Sequence, residues 1–197
     1  MRRLIDPPLN KLGGSISNKG VTANQITWVG FGVGILAVPA LASQVYLLAL
    51  GCIILNRVCD GLDGAVARSK QITDLGGYLD ITLDFLFYSA VVFGFALANP
   101  QENALAAAFL IFSFVGTGAS FLAFAIVAEK RNISTDIRGT KSIYYLGGLT
   151  EGTETILLFL ALCIWPNHFS LMAWIFGSLC WLTTTFRIHA AYSIFKD

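Results

Sequence analysis

The sequence predicts an all-α, polytopic membrane protein with six transmembrane helices in one bundle and an amphipathic segment at its start. Three observations predict it. Hydrophobic residues make up 55% of the 197-residue chain and charged residues 13%, with a mean hydropathy of +0.68; a soluble domain carries about 25% charge. Six apolar runs can be drawn, each near the ~20 residues that cross hydrocarbon. Threading those runs with the N-terminus inside places all 13 Lys and Arg residues on the cytoplasmic side. A β-barrel is excluded because period-2 alternation is missing, and an open sheet edge has no partners in lipid.

Composition removes further classes. A net charge of +1 offers no basic field for nucleic acid. Cys52, Cys59, Cys163 and Cys180 lie in apolar stretches without CxxC spacing. They read as buried thiols, not as a disulfide framework or a zinc site.

Residues 1–22 read as a cytoplasmic interfacial segment. Arg2, Arg3, Lys11 and Lys19 are interspersed with Leu4, Ile5, Leu9 and Leu12, and Pro7 with Pro8 breaks any long helix. No apolar stretch closely follows the two arginines, so a cleaved signal peptide is not expected. Residues 23–197 form the six-helix transmembrane domain. Its spans are expected at about 25–43, kinked at Pro39, then at about 45–66 and 77–99. The fourth, about 103–128, holds Gly116 and Gly118, which suit close helix packing. The last two are at about 152–165, the shortest, and 168–193. A cytoplasmic loop of residues 129–151 carries Lys130, Arg131, Arg138 and Lys141. Both termini are cytoplasmic. The sequon Asn132-Ile133-Ser134 falls inside and carries no weight.

Four aspartates do not belong in lipid. Asp60 and Asp63 sit near the end of the second span, and Asp80 and Asp84 near the start of the third. An aspartate at the centre of a membrane helix costs about 2.5–3.5 kcal/mol. At 1.5 Å per residue, Asp60 lies about 22 Å from the outer end, and Asp80 and Asp84 about 5 and 11 Å from the inner one, so the pairs meet at similar depth. Spacings of i,i+3 and i,i+4 put each pair on one helix face. A short link makes the helices antiparallel neighbours. Four carboxylates thus converge on one cytoplasm-facing cavity and repel one another unless cations bind. An all-oxygen donor set suits Mg²⁺, Mn²⁺ or Ca²⁺. Gly61, Gly64 and Ala67 leave room for a bulky ligand, and Arg68 can fork onto phosphate. The alternative is a set of structural salt bridges to Arg57, Arg68 and Lys70. Three cations facing five acids, Asp74 included, weigh against it.

These residues resemble the signature of the CDP-alcohol phosphatidyltransferases: DxxDG, then AR after two residues, a spacer, and GxxxDxxxD. Asp60, Asp63, Gly64, Ala67, Arg68, Gly76, Asp80 and Asp84 match in order. The spacer before Gly76 is one residue shorter than the family's usual eight, which implies an altered turn. The resemblance implies transfer of a phosphatidyl group from CDP-diacylglycerol to an alcohol acceptor, with release of CMP. It implies two divalent ions, Mg²⁺ or Mn²⁺, held by Asp60, Asp63 and Asp80 with Asp84 beside them. Asp84 is then also the catalytic base on the acceptor hydroxyl. Gly64, Ala67 and Arg68 contact the CDP part, with Gly76 in the same substrate-binding set. Asn24 resembles a polar residue lining the nucleotide site; its other reading is a helix N-cap. Lys130, Arg131, Arg138, Lys141 and Arg187 are candidates for an acceptor phosphate, against ordinary positive-inside bias. His189 reads as an interfacial residue, and Trp28, Trp165, Trp174 and Trp181 as packing or interfacial anchors. The resemblance further implies a homodimer, for which the glycine-bearing third and fourth spans offer a contact. A bacterial inner membrane is the expected location.

Two other functions fit parts of the pattern. An intramembrane prenyltransferase also places aspartates and Mg²⁺ on a diphosphate, but this chain lacks a second, separate acidic motif. A cation transporter needs a carboxylate site at mid-membrane, whereas these acids lie towards one face and no inverted repeat is visible.

Overall fold

The computed structural model describes residues 13–14, 20–70, 72–131, 133 and 150–196. Most of the expected interfacial segment lies outside these residues, as do Arg138 and Lys141. The chain divides into two compact units, Met1–Ala98 and Asn99–Asp197, and the described residues are helical nearly throughout.

The first unit contains α1 (Ala23–Ile35), α2 (Ala37–Ala42), α3 (Tyr46–Ser69) and α4 (Asp74–Ala98). Thr22 starts α1 with a capping box: its hydroxyl accepts from the Gln25 N–H at 3.3 Å, and the Gln25 side chain accepts from the Thr22 N–H at 2.9 Å. Asn24 is therefore not the cap. The expected bend at Pro39 appears three residues earlier, as a break at Leu36 between α1 and α2. Pro39 has no N–H to give the Ile35 carbonyl, and its ring crowds that carbonyl.

α2 ends in a Schellman turn. The Val45 N–H donates to the Ala40 carbonyl and the Gln44 N–H to the Leu41 carbonyl, each at 2.8 Å. Gln44 takes the left-handed position (φ 59°) usually given to glycine. Its side chain in turn donates to the Ala98 carbonyl at 2.9 Å, satisfying the end of α4.

The third span begins at Asp74, three residues before the expected start. The Thr73 hydroxyl accepts from the Gly76 N–H at 3.1 Å, and Asp74 puts a negative charge in the first turn. These two caps let the helix run through Gly76 and Gly77.

The second unit contains α5 (Pro100–Lys130), α6 (Gly152–Ile164), a 3₁₀ turn (Pro166–His168) and α7 (Phe169–Phe195). Pro100 stands at the first helical position, where its missing N–H costs nothing. Glu151 and Glu154 form a capping box at the start of α6.

Among the described residues, four stretches are long and apolar enough to cross a membrane: Ala23–Ala42, Asp74–Ala98, Pro100–Lys130 and Pro166–Phe195. α3 has the length, with 24 residues, but it carries Arg57, Asp60, Asp63 and Arg68. α6 is apolar and only 13 residues long, or ~20 Å at 1.5 Å per residue. The protein is an all-α polytopic membrane protein. Its exposed large apolar residues, among them Leu47 at 78% and Leu105 at 74%, are the surface such a protein presents to lipid.

Lipid supplies no hydrophobic drive between helices, so close packing at small residues has to hold them. In the first unit α1 packs on α3 and α2 on α4, around buried Leu41, Ile53, Phe87 and Phe95. A Cβ on Gly94 would stand 2.9 Å from the Leu41 side chain. In the second unit α5 packs on α7. Gly116 lies under the Trp181 ring, and a Cβ on Gly177 would stand 2.7 Å from Phe109. Gly94 and Gly116, glycines of the third and fourth spans, thus serve contacts within the chain.

Candidate active site

The site lies within the first unit, where α1, α3 and α4 face one pocket. Its lining includes Thr27, Asn56, Arg57, Asp60, Asp63, Asp80 and Asp84. α3 and α4 run on either side of a short link after Ser69, which brings the two aspartate pairs together from opposite directions.

One oxygen from each of Asp60, Asp63 and Asp80 lies within 4.8 Å of the other two. Oxygens on opposite sides of an octahedral Mg²⁺ are ~4.2 Å apart, twice the ~2.1 Å bond. Neighbouring oxygens on such an ion are ~3.0 Å apart, so side-chain adjustments of about an ångström or two would let the trio share a hard cation. Its depth is graded: Asp63 is 6% exposed, Asp60 is half-buried and Asp80 exposed.

Asp63 is fixed from α1. The Thr27 hydroxyl stands 2.6 Å from an Asp63 oxygen and 3.1 Å from the Ala23 carbonyl. A hydroxyl has one proton to give, and the shorter, charge-assisted bond to Asp63 takes it.

Asp84 lines the same pocket but is held separately. The Arg57 guanidinium donates to its Oδ1 at 2.7 Å, and the Tyr88 hydroxyl to its Oδ2 at 3.1 Å. Arg57 also stands 3.7 Å from Asp60. The four expected carboxylates are thus a gathered trio and a fourth whose two oxygens face donors of their own. Salt bridging, the alternative reading of these acids, is realised at Arg57.

Arg57 is itself fixed. Its Nε and one terminal nitrogen donate to Asn56 Oδ1 at 2.8 and 2.6 Å, and Asn56 Nδ2 donates to the Gly30 carbonyl at 2.9 Å. The guanidinium carbon lies 5.0 Å from the Phe87 ring centre. Two glycines on α1 make this possible. A Cβ on Gly30 would stand 2.6 Å from Cys59 Cβ, and one on Gly34 would stand 2.9 Å from both Asn56 Nδ2 and the Phe87 ring. Among the described residues, no buried side-chain nitrogen or oxygen lacks a partner.

The remaining expected site residues take the following places. Asn24 and Gly76 are neighbours: a Cβ on Gly76 would meet the Asn24 amide oxygen at 3.3 Å. This places the start of α1 beside the start of α4. Gly64 and Ala67 are half-buried on α3 and Arg68 is exposed. Gly64 faces an Arg68 terminal nitrogen, which would be 3.2 Å from a Cβ there.

Sequence reasoning missed Thr27, Asn56 and Tyr88, and saw Arg57 only as a counter-charge. A signal was present for two of them. Asn56 and Arg57 interrupt an apolar run one turn before Asp60, and polar groups at such depth need partners. Thr27 offered none, because its role depends on which way α1 is rotated.

A gathered set of carboxylates on facing helices of a polytopic membrane protein, with small residues and an arginine beside it, fits a class of membrane enzyme that works on phosphate-bearing substrates through divalent ions. The chain belongs to the CDP-alcohol phosphatidyltransferase family, whose model matches residues 20–186. It is similar to inner membrane protein YnjF of Escherichia coli, with 54% identity over 193 residues that cover 98% of this chain and 94% of that one. Archaetidylinositol phosphate synthase of Pyrococcus horikoshii is 27% identical over 192 residues, 97% of this chain and 94% of its own. The crystal structure of Mycobacterium tuberculosis phosphatidylinositol phosphate synthase (PgsA1) with CDP-DAG bound shares the fold, with a TM-score of 0.68 over 93% of each chain at 19% identity. The protein is therefore an enzyme, a CDP-alcohol phosphatidyltransferase, and the prenyltransferase and transporter readings are set aside.

Proposed function

We propose that the enzyme transfers a phosphatidyl group from CDP-diacylglycerol to an alcohol acceptor and releases CMP. The observation that carries this reading is the convergence of Asp60, Asp63 and Asp80 within 4.8 Å of one another, with Asp84 in the same pocket. These three side chains, with Asp84 beside them, would hold a pair of Mg²⁺ or Mn²⁺ ions. Such ions supply charge neutralisation for a diphosphate under attack.

The chain's own residues do the rest. Asp84 takes the proton of the acceptor hydroxyl while the new P–O bond forms; the bond to the CMP oxygen breaks and CMP leaves with those electrons. Thr27 keeps Asp63 in place. Gly64 and Ala67 leave a gap on α3 for the nucleotide, Arg68 reaches its phosphates, and Asn24 with Gly76 closes the nucleotide end. The family model runs across both units, from residue 20 to 186, which supports residues 23–197 acting as one six-span catalytic domain after the interfacial segment 1–22. The segregation of Lys and Arg favours cytoplasmic termini, and the Escherichia coli relative's name favours a bacterial inner membrane. A homodimer is part of the same reading.

The test uses the purified full chain with CDP-diacylglycerol, Mg²⁺ and a panel of alcohols and alcohol phosphates, read by lipid mass spectrometry. One new phospholipid and stoichiometric CMP are expected. Asp84→Asn is expected to bind CDP-diacylglycerol and release no CMP; full activity in that variant would remove Asp84 as the base.

A further inference from the structure

We infer that Arg57 and Tyr88 are positioning residues that aim Asp84, and that Arg57 competes with the divalent ion for it. The inference rests on the base role given to Asp84 above. Three observations carry it. Each Asp84 oxygen has its own donor, one from α3 (Arg57, 2.7 Å) and one from α4 (Tyr88, 3.1 Å), so the carboxylate cannot turn freely about its last bond. Arg57 is anchored independently of Asp84, through two N–H bonds to Asn56 and from there to the Gly30 carbonyl on α1. The guanidinium also stands 3.7 Å from Asp60, a member of the trio.

The geometry has a consequence that an ordinary structural ion pair lacks. A fixed positive charge between Asp84 and Asp60 repels a cation in the trio and also withholds Asp84 from it. Removing that charge frees an oxygen donor and deepens the negative field, so the ion binds more tightly. It also lets Asp84 rotate, and misaimed bases lose rate steeply. Metal affinity and turnover are therefore expected to move in opposite directions. A residue that merely stabilised the fold would lower both.

The experiment measures Mn²⁺ affinity of the detergent-solubilised full chain, without substrate, by the paramagnetic resonance signal of free Mn²⁺. CMP release is measured beside it. Arg57→Gln is expected to bind Mn²⁺ about tenfold more tightly, equal to ~1.4 kcal/mol, and to lose at least ~100-fold in kcat, with KM for CDP-diacylglycerol within ~threefold. Arg57→Lys keeps the charge but not the fork; near-normal Mn²⁺ affinity and intermediate turnover are expected. Beside an inactive Asp84→Asn, weaker or unchanged Mn²⁺ binding in Arg57→Gln would overturn the competition, and unchanged kcat the positioning role, and either leaves the base reading standing. A fully active Asp84→Asn would overturn both. Should Arg57→Gln fail to fold, Tyr88→Phe decides: kcat lower by ~tenfold at unchanged KM supports the inference, and unchanged kcat overturns it.

Discussion

Replacing Gly30 by alanine is expected to force α1 away from α3 and disturb the site from behind. The new Cβ would stand 2.6 Å from Cys59 Cβ, whereas carbon atoms in contact sit ~3.5–4.0 Å apart. The helices must therefore separate locally by about 1 Å. Overpacking of this kind costs about 1–3 kcal/mol. The 2.9 Å bond from Asn56 to the Gly30 carbonyl crosses the same contact, and its loss adds about 0.5–1.5 kcal/mol. The better helix propensity of alanine returns about 0.5–1 kcal/mol. The net destabilisation is then about 0.5–4 kcal/mol. Gly32→Ala is the control, because a Cβ there meets nothing within 4 Å; it gains the propensity and loses no contact. Reversible unfolding of the purified chain in mixed micelles of mild detergent and dodecyl sulfate reads both. Adding Cys59→Gly to Gly30→Ala removes the opposing carbon and is expected to recover most of the loss. If Gly30→Ala matched Gly32→Ala in stability and CMP release, the tight α1–α3 seam would not be what holds Asn56 and Thr27 at the site.

Thr27→Val keeps the shape and removes the donor 2.6 Å from Asp63. Hydrogen bonds to charged groups contribute about 1.5–3 kcal/mol, so transferase activity is expected to fall at least about tenfold, checked by CMP release across a Mg²⁺ titration. Chelation of divalent ions is expected to abolish activity, with return on adding Mg²⁺ or Mn²⁺; turnover that survives chelation would oppose the metal role of the aspartate trio. Gln44→Ala loses the 2.9 Å bond to the Ala98 carbonyl and keeps the left-handed backbone. A loss of about 0.5–1.5 kcal/mol is expected in the same unfolding assay.

Much of the site was legible because membrane helices punish polar residues. Asp60, Asp63, Asp80 and Asp84 stand out against apolar neighbours, and their i,i+3 and i,i+4 spacings require shared faces whatever the tertiary fold. Helix limits agree closely at Pro166, which separates the last two helices. Two helices start three residues before their apolar runs, at Asp74 and at Pro100, because a capped first turn is polar and does not stand out by hydropathy. What stayed hidden depends on rotation about helix axes. Period 3.6 says that Arg57 and Asp60 share a face; it does not say that Tyr88 and Arg57 meet over Asp84, or that Thr27 reaches across from α1. The bend at Leu36 was hidden for a related reason, since a proline acts on the carbonyl four residues before it.

If α3 crosses the bilayer as the second of six spans, its charges are also expected to govern how the chain is threaded in during synthesis. A helix bearing Arg57, Asp60, Asp63 and Arg68 is a poor solo passenger for the insertion machinery, since each such residue near mid-depth carries a penalty of about 2.5–3.5 kcal/mol. Contact between Arg57 and Asp84 at 2.7 Å lets one penalty cancel part of another, but only once α4 has arrived. The two helices are therefore expected to leave the translocon as a hairpin, with Arg57 and Asp84 already paired.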